Sequence, residues 1–332
     1  MKPPELDVAV KPPLSVELVR EARERIRDYL PQTPLIRSQT LTVQLGAETY
    51  LKLECLQKTG SFKPRGAFNK LLTLSEAERQ RGVVGVSGGN HAQGLAYAAQ
   101  VLGIDATICM PATTPANYVA ATRGYGANVV FCDDIRQAFA MADKLQAEGR
   151  VLVHPFDDPL IAAGQGVIAL EMLEELPELS RVYISIGGGG LIAGMATVFK
   201  ALRPDIRVIG VETRGADVMS LSVAADSMIE LPAITSIART LGAPQVSQLT
   251  FDCVKKLVDE LIVVEDVEAV EAMILLLERT KILVEPAGAC CLAAAQRQCT
   301  EWDRNENVAI LLCGGNVSVS DLAGWSQTHR RS

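Results

Sequence analysis

Lys63 is set among small and apolar residues in Gly60-Ser61-Phe62-Lys63-Pro64. An amine kept from water is held partly neutral, and a neutral amine can form a Schiff base with an aldehyde. Arg65 lies close enough in sequence to push the same way by like-charge repulsion. On these residues alone, a solvated loop lysine remains the plainer reading. A second group is the run Gly187-Gly188-Gly189-Gly190, which follows the apolar residues 182–186 and precedes a helical stretch. Successive residues without Cβ expose successive backbone N–H groups, and the helix start adds its positive end, so this turn suits a phosphate. The spacing is not GxGxxG and no GKS or GKT follows, which argues against dinucleotide and nucleoside triphosphate loops.

Ser87-Gly88-Gly89-Asn90-His91 occupies another strand-to-helix junction, where free N–H groups suit a carboxylate or a ring oxygen. The alternative is that Asn90 caps a helix and His91 lies on the surface. Cys313-Gly314-Gly315-Asn316 ends the apolar run 308–312, and the carboxyl end of a strand is where α/β proteins place ligand contacts. Read singly, Cys313 is equally a buried small hydrophobe. His154 and His329 are the other histidines, too few for a zinc site or a hydrolytic triad with His91.

Positioning these groups falls to a repeated phrase: a Val/Ile/Leu run, a glycine or proline, then a helical run. It appears at residues 83–102, 106–123, 128–148, 182–202 and 208–211, and again from 251 to 312. Such continuous apolar strands, each followed by a helix, predict mostly parallel sheets covered on both faces. An amphipathic helix is expected over residues 15–30 and a strand over 49–53. Residues 219–250 lack periodicity and read as a long excursion over the site.

The chain has 332 residues, 48% hydrophobic and 21% charged, with a formal net charge of -7. It is long enough for about two domains, and its acidity argues against a nucleic-acid partner. The proline-broken residues 1–15 read as a surface arm, not a signal peptide, and the uncharged stretches 82–104 and 182–199 carry polar residues or glycines that disfavour a membrane span. The 8 cysteines, without CxxC spacing, read as thiols of a reducing cytoplasm.

Taken together, Lys63, SGGNH, GGGG and CGGN, with TPLIRS at 33–38, HPFDDP at 154–159, AAGQG at 162–166 and VEPAGA at 284–289, resemble the pyridoxal-phosphate enzymes of the tryptophan-synthase-β type. Within them the chain is similar to the serine/threonine dehydratase and serine racemase group. The resemblance implies the α/β fold type II architecture of two open parallel-sheet domains. Residues 54–153 would form the small substrate-binding domain, and residues 1–53 with 154–332 the large cofactor-binding one. It implies Lys63 as the Schiff-base lysine, Phe62 against the ring, Asn90 on the ring hydroxyl and Cys313 facing the ring nitrogen. Gly187, Gly188, Gly189, Gly190 and Leu191 would cradle the phosphate, and Ser87, Gly88, Gly89 and His91 would hold the substrate carboxylate. A magnesium or calcium ion would use the Glu212 carboxylate and the Ala216 carbonyl, but the acid expected at Val218 is missing.

The activity implied is β-elimination from a small hydroxy amino acid, threonine or serine, to a 2-oxo acid and ammonia, in a cytoplasmic enzyme that the family makes a homodimer. The alternatives are a 3-hydroxyaspartate or phenylserine dehydratase, a serine racemase with side elimination, or a protein that binds an amino acid or phosphate ligand without chemistry. Racemases carry a serine where this chain has Gly88, which disfavours racemisation. Arg136 is a candidate for a distal carboxylate, and Phe156 for an apolar β-substituent. Isoleucine feedback is not expected, for want of a carboxy-terminal sensing domain.

Overall fold

The computed structural model describes residues 13–329; residues 1–12, most of the surface arm inferred above, lie outside the described part. Among the described residues ten strands form: β1 Leu35–Arg37, β2 Glu48–Lys52, β3 Val83–Val86, β4 Ala106–Pro111, β5 Asn128–Cys132, β6 Val151–Leu152, β7 Arg181–Ser185, β8 Arg207–Thr213, β9 Glu260–Val264 and β10 Asn307–Leu311. They make two sheets. One has six strands in the order β1-β2-β10-β7-β8-β9, and the other has four in the order β5-β4-β3-β6. Only the edge pair β1–β2 is antiparallel; every other pairing is parallel. The architecture is therefore the α/β arrangement of two parallel-sheet units expected from the sequence.

Strands β3 and β7 are buried along their whole length, because helices cover both faces of a parallel sheet and leave no polar side. The same physics hid one element from the sequence reading. Helix Pro159–Glu175 is buried on nearly every side from Ile161 to Met172, so it carries no amphipathic stripe for periodicity to detect. The excursion at 219–250 is also less irregular than expected: helix Val218–Ala224 opens it and a single 3-10 turn, Arg239–Leu241, brings it back over the cleft. Among the described residues no helix is long and apolar enough to cross a membrane.

A buried ionic cluster fixes the elements beneath the site. Arg65, only 1% exposed, donates to Glu54 from Nε and Nη2, both at 2.8 Å, and to Glu171 from Nη1 at 2.6 Å and Nη2 at 2.9 Å. Lys52 Nζ lies 2.8 Å from the same Glu171 carboxylate and donates to Thr33 O at 2.6 Å. Glu54 and Glu171 meet Arg65 and Lys52, with the part-exposed Glu175 at 3.4 Å from Lys52 Nζ, so the buried charges offset one another while the cluster joins β2, the turn Glu54–Leu56, helix Lys63–Leu72 and helix Pro159–Glu175. This also corrects an expectation about Arg65: its charge is committed to two carboxylates, and it is not what acts on Lys63. Replacing Arg65 with Met strands two buried carboxylates with one lysine. The expected loss is about 3–5 kcal/mol, read by urea denaturation; a loss below about 1 kcal/mol would contradict this role.

Candidate active site

Lys63 begins helix Lys63–Leu72, with Pro64 in its first turn. The loop that delivers it is laced by backbone hydrogen bonds to the chain just beyond β10. Cys55 N donates to Leu312 O at 2.9 Å, Phe62 N to Cys313 O at 3.1 Å and Gly315 N to Gly60 O at 2.9 Å, and Ser61 pairs with Gly314 in an isolated bridge. Lys63 Nζ donates to Pro155 O at 3.0 Å and stands 5.1 Å from the centre of the Phe62 ring. Desolvation lowers its pKa to about 8, against the weaker upward pull of Cys313 and Glu285. The amine is thus partly neutral near physiological pH, which a solvated loop lysine is not.

The same cleft is lined by Phe62, Lys63, Asn90, the four glycines, Leu191 and Cys313. The glycine turn has no room for side chains. A Cβ at Gly188 would fall 2.1 Å from the Phe156 ring, one at Gly187 would fall 3.0 Å from Leu241 O, and Gly189 has φ +93. Helix Gly190–Leu202 starts inside the turn, so the first-turn amides of Gly190 and Leu191 have no intrahelical carbonyl to receive them. An amine, a cradle of N–H groups and, across the cleft, a buried thiol fit an aldehyde that carries a phosphate. Cys313 is 3% exposed, and burial pushes its thiol well above the ordinary range, so it is neutral.

Asn90 is the first residue of its helix; the cap is Gly89. Its Nδ2 donates to Glu285 Oε1 at 2.7 Å, and its Oδ1 accepts from Asn316 Nδ2 at 2.7 Å. Glu285, Thr240 and Ser185 also line the cleft, and sequence reasoning gave none of them a role. Glu285 sits in the quoted VEPAGA motif and was legible only as part of a pattern; Thr240 belongs to the loop whose departure from the family pattern was noted. Desolvation raises the Glu285 carboxyl to about 7, with Asn90, Thr240 and Tyr118 donating against that rise.

The Ser87-Gly88-Gly89 turn follows β3 beside the cleft, with Ser87 Oγ accepting from Gly89 N at 3.0 Å. A Cβ at Gly88 would fall 2.6 Å from Thr114 Oγ1, and one at Gly89 would fall 3.3 Å from Thr240. His91 is buried, its Nε2 2.9 Å from Val153 O; burial, then the charge of Lys63, lowers it to about 3. Its ring is therefore neutral and turned away, leaving only its backbone N–H for a ligand. Arg136 is exposed and paired with Glu230 at 2.6 Å, outside the residues that line the cleft.

Where a divalent cation was expected, the Glu212 carboxylate has protein donors. Glu212 Oε1 accepts from Met219 N at 2.9 Å and Oε2 from Ser220 N at 2.7 Å. The Asp217 carboxylate accepts from Arg214 at 2.7 Å and from Gly215 N at 3.0 Å. Val218, where a third ligand was needed, is a buried hydrocarbon. Among the described residues no three His, Cys, Asp or Glu side chains gather as metal ligands. Helix amides donate to Glu212 where a cation was expected, and burial raises its carboxyl to about 7 against them.

A family model described as pyridoxal-phosphate dependent enzyme matches residues 26–314. The chain is 41% identical over 309 residues to an L-threonine ammonia-lyase of Thermotoga maritima, covering 92% of this chain and 77% of that relative. It is 39% identical over 322 residues to a serine racemase of Oryza sativa subsp. indica, covering 95% and 94% of the two. Among solved structures it is similar to maize serine racemase, with a TM-score of 0.89 at 38% identity over 95% of this chain and 97% of that one. With the lysine amine and the glycine cradle in one cleft, these likenesses agree on one assignment: the chain belongs to the pyridoxal-phosphate dependent enzymes.

Proposed function

We propose that the protein is a threonine and serine ammonia-lyase, turning L-threonine into 2-oxobutanoate and ammonia, and L-serine into pyruvate and ammonia. The observation that carries this reading is the shared cleft of the Lys63 amine and the four-glycine turn. Relatives named for threonine ammonia-lyase, at 41% and 42% identity, support the choice of substrate. Bound pyridoxal phosphate supplies an aldehyde for the lysine and an electron sink for the substrate's Cα.

The chain's own residues divide the remaining work. Lys63 is the one amine among the cleft-lining side chains, so the group that anchors the cofactor is also the base for the Cα proton. The amides of Gly187 to Leu191 hold the phosphate, and Phe62 lies against the ring. Asn90 donates to the ring oxygen. Ser87 and the N–H groups from Gly88 to His91 hold the substrate carboxylate. Cys313, a neutral thiol, is a weak partner for the ring nitrogen and leaves it unprotonated, which suits loss of a β-hydroxyl better than a long-lived carbanion. In this reading residues 54–153 form the small lobe, which the separate sheet of β3 to β6 supports. A magnesium or calcium ion on Glu212 and the Ala216 carbonyl is the part of the reading with least support, because the Met219 and Ser220 amides donate to Glu212 and Val218 offers no acid. The 8 free cysteines favour a cytoplasmic setting, and a homodimer completes the reading.

Three measurements test it. Lys63→Ala should lose the visible band of the bound cofactor and at least about 10²-fold in threonine turnover. For the wild-type apoprotein, a pKa lowered to about 8 means that the amine is mostly protonated below that pH and mostly neutral above it. The rate of cofactor uptake should therefore rise with pH and level off above about 8; a flat rate between pH 6 and 9 would speak against Lys63. Gly88 offers no base on the second face of the Cα, so chiral chromatography should find 2-oxo acid from L-serine with almost no D-serine. Gly88→Ser alone should not change that, because Thr114 fills the space; fast D-serine formation by the wild type would overturn the lyase reading.

A further inference from the structure

Glu285 is a buried carboxylate, 2% exposed, that the roles above leave without a task. Unlike Glu54 and Glu171, which pair with Arg65, it takes its hydrogen bonds from neutral groups. Oε1 accepts from Asn90 Nδ2 at 2.7 Å and from Thr240 Oγ1 at 3.1 Å, and Tyr118 OH, whose one proton is shared with Asn316 O, lies 3.5 Å from Oε2. A buried acid without a paired cation costs stability, and a packed apolar side chain would serve the core better. The three donors come from separate places: Asn90 follows β3, Tyr118 lies on helix Ala116–Gly124, and Thr240 lies on the turn Arg239–Leu241. Asn90 and Tyr118 belong to the part of the chain built on the four-stranded sheet, while Glu285 and Thr240 belong to the part built on the six-stranded one.

The contacts on Asn90 give this arrangement a direction. Asn316 Nδ2 donates both to Thr59 O and to Asn90 Oδ1, each at 2.7 Å. The Asn316 amide is therefore oriented by a carbonyl that can only accept, and it in turn requires the oxygen of Asn90 to face it. Glu285 Oε1, which receives Thr240 Oγ1 as well, accepts whether or not the carboxyl is ionised, and so draws the Asn90 nitrogen to the opposite side. Gly314, just beyond β10, whose Cβ would fall 2.6 Å from Glu285 Oε1, leaves the carboxylate room to reach in from the start of helix Pro286–Gln298. The amide cannot turn over without placing two donors against each other at one end and two acceptors at the other.

We infer that Glu285 is a positioning residue for the proposed reaction: its carboxylate holds the Asn90 amide with the nitrogen available to the cofactor's ring oxygen and joins the two sheets across the cleft. The inference rests on the function proposed above. Glu285 transfers no proton and touches no reacting atom. Its effect passes through the Asn90 side chain, so it is visible in the cofactor's spectrum as well as in turnover.

The test compares wild type, Glu285→Met and Glu285→Gln, each loaded with pyridoxal phosphate. Met keeps the bulk and removes both acceptors; Gln keeps an oxygen that can accept from Asn90. Glu285→Met should shift the cofactor's visible band and lower kcat for threonine about 10- to 100-fold, with KM within a few-fold of wild type. Glu285→Gln should return the band to the wild-type position and recover most of kcat. A wild-type band in Glu285→Met overturns the inference, even where that variant is less stable. So does a Gln variant as impaired as Met, which would assign the effect to charge. Should Glu285→Met not fold, Glu285→Asp draws the carboxylate back by one methylene, and an unshifted band there overturns the inference equally. Failure of the wild type itself to take up the cofactor overturns the parent reading, and is seen before any variant is compared.

Discussion

The site depends on a backbone seam between the loop ending at Phe62 and the chain leaving β10. Gly60, Ser61 and Phe62 pair with Gly315, Gly314 and Cys313, so residues more than two hundred positions apart move as one piece. Such a seam uses groups every residue carries, and buried backbone groups must be paired somewhere. Its consequence is chemical: the amine of Lys63 and the thiol of Cys313 hold a fixed separation across the cleft. The Arg65 cluster acts one turn further along, fixing the helix that starts at Lys63 to helix Pro159–Glu175. The lysine is thus held at the root of its helix from two sides while its tip stays free to change partners.

Much of this was legible in the residues. Strands β3, β7 and β10 lie in apolar runs that lead into glycine-rich turns, and the chemistry sits at those three ends, Ser87, Gly187 and Cys313. That concentration is what a parallel sheet imposes, because all strand carboxyl ends point one way. The elements that went unread were hidden by the opposite conditions. Helix Pro159–Glu175 is too deeply buried to show a stripe, and the edge strand β1 has three residues, too few for a period.

The roles of single side chains were less legible, because they depend on contacts between distant segments. Arg65 looked like a charge acting on its neighbour Lys63, yet Glu54 and Glu171 claim it, and desolvation alone accounts for the lysine's shift. His91 read as a substrate-carboxylate residue, with a surface histidine as the alternative, and its ring is buried against Val153 O. Glu212 looked like half of a cation site, but helix Val218–Ala224 turns its amides onto the carboxylate. Sequence spacing places each of these residues on its element and says nothing of what the next element brings to it.

One electrostatic pattern unites the cleft. Burial drives each titratable group there toward its neutral form: Lys63 and His91 downward, Cys313 and Glu285 upward. No arginine is among the lining residues. The anions the proposed reaction introduces, a phosphate and a carboxylate, would therefore meet backbone N–H groups at two helix starts, Gly190 and Asn90, rather than mobile cations. Amide dipoles are fixed by the fold and need no reorganisation when charge arrives. They also leave a basic amine basic: a guanidinium beside Lys63 would lower its proton affinity further and weaken it as the base for the Cα proton. A site that binds anions through glycine amides keeps its one amine strong enough to do both of its tasks.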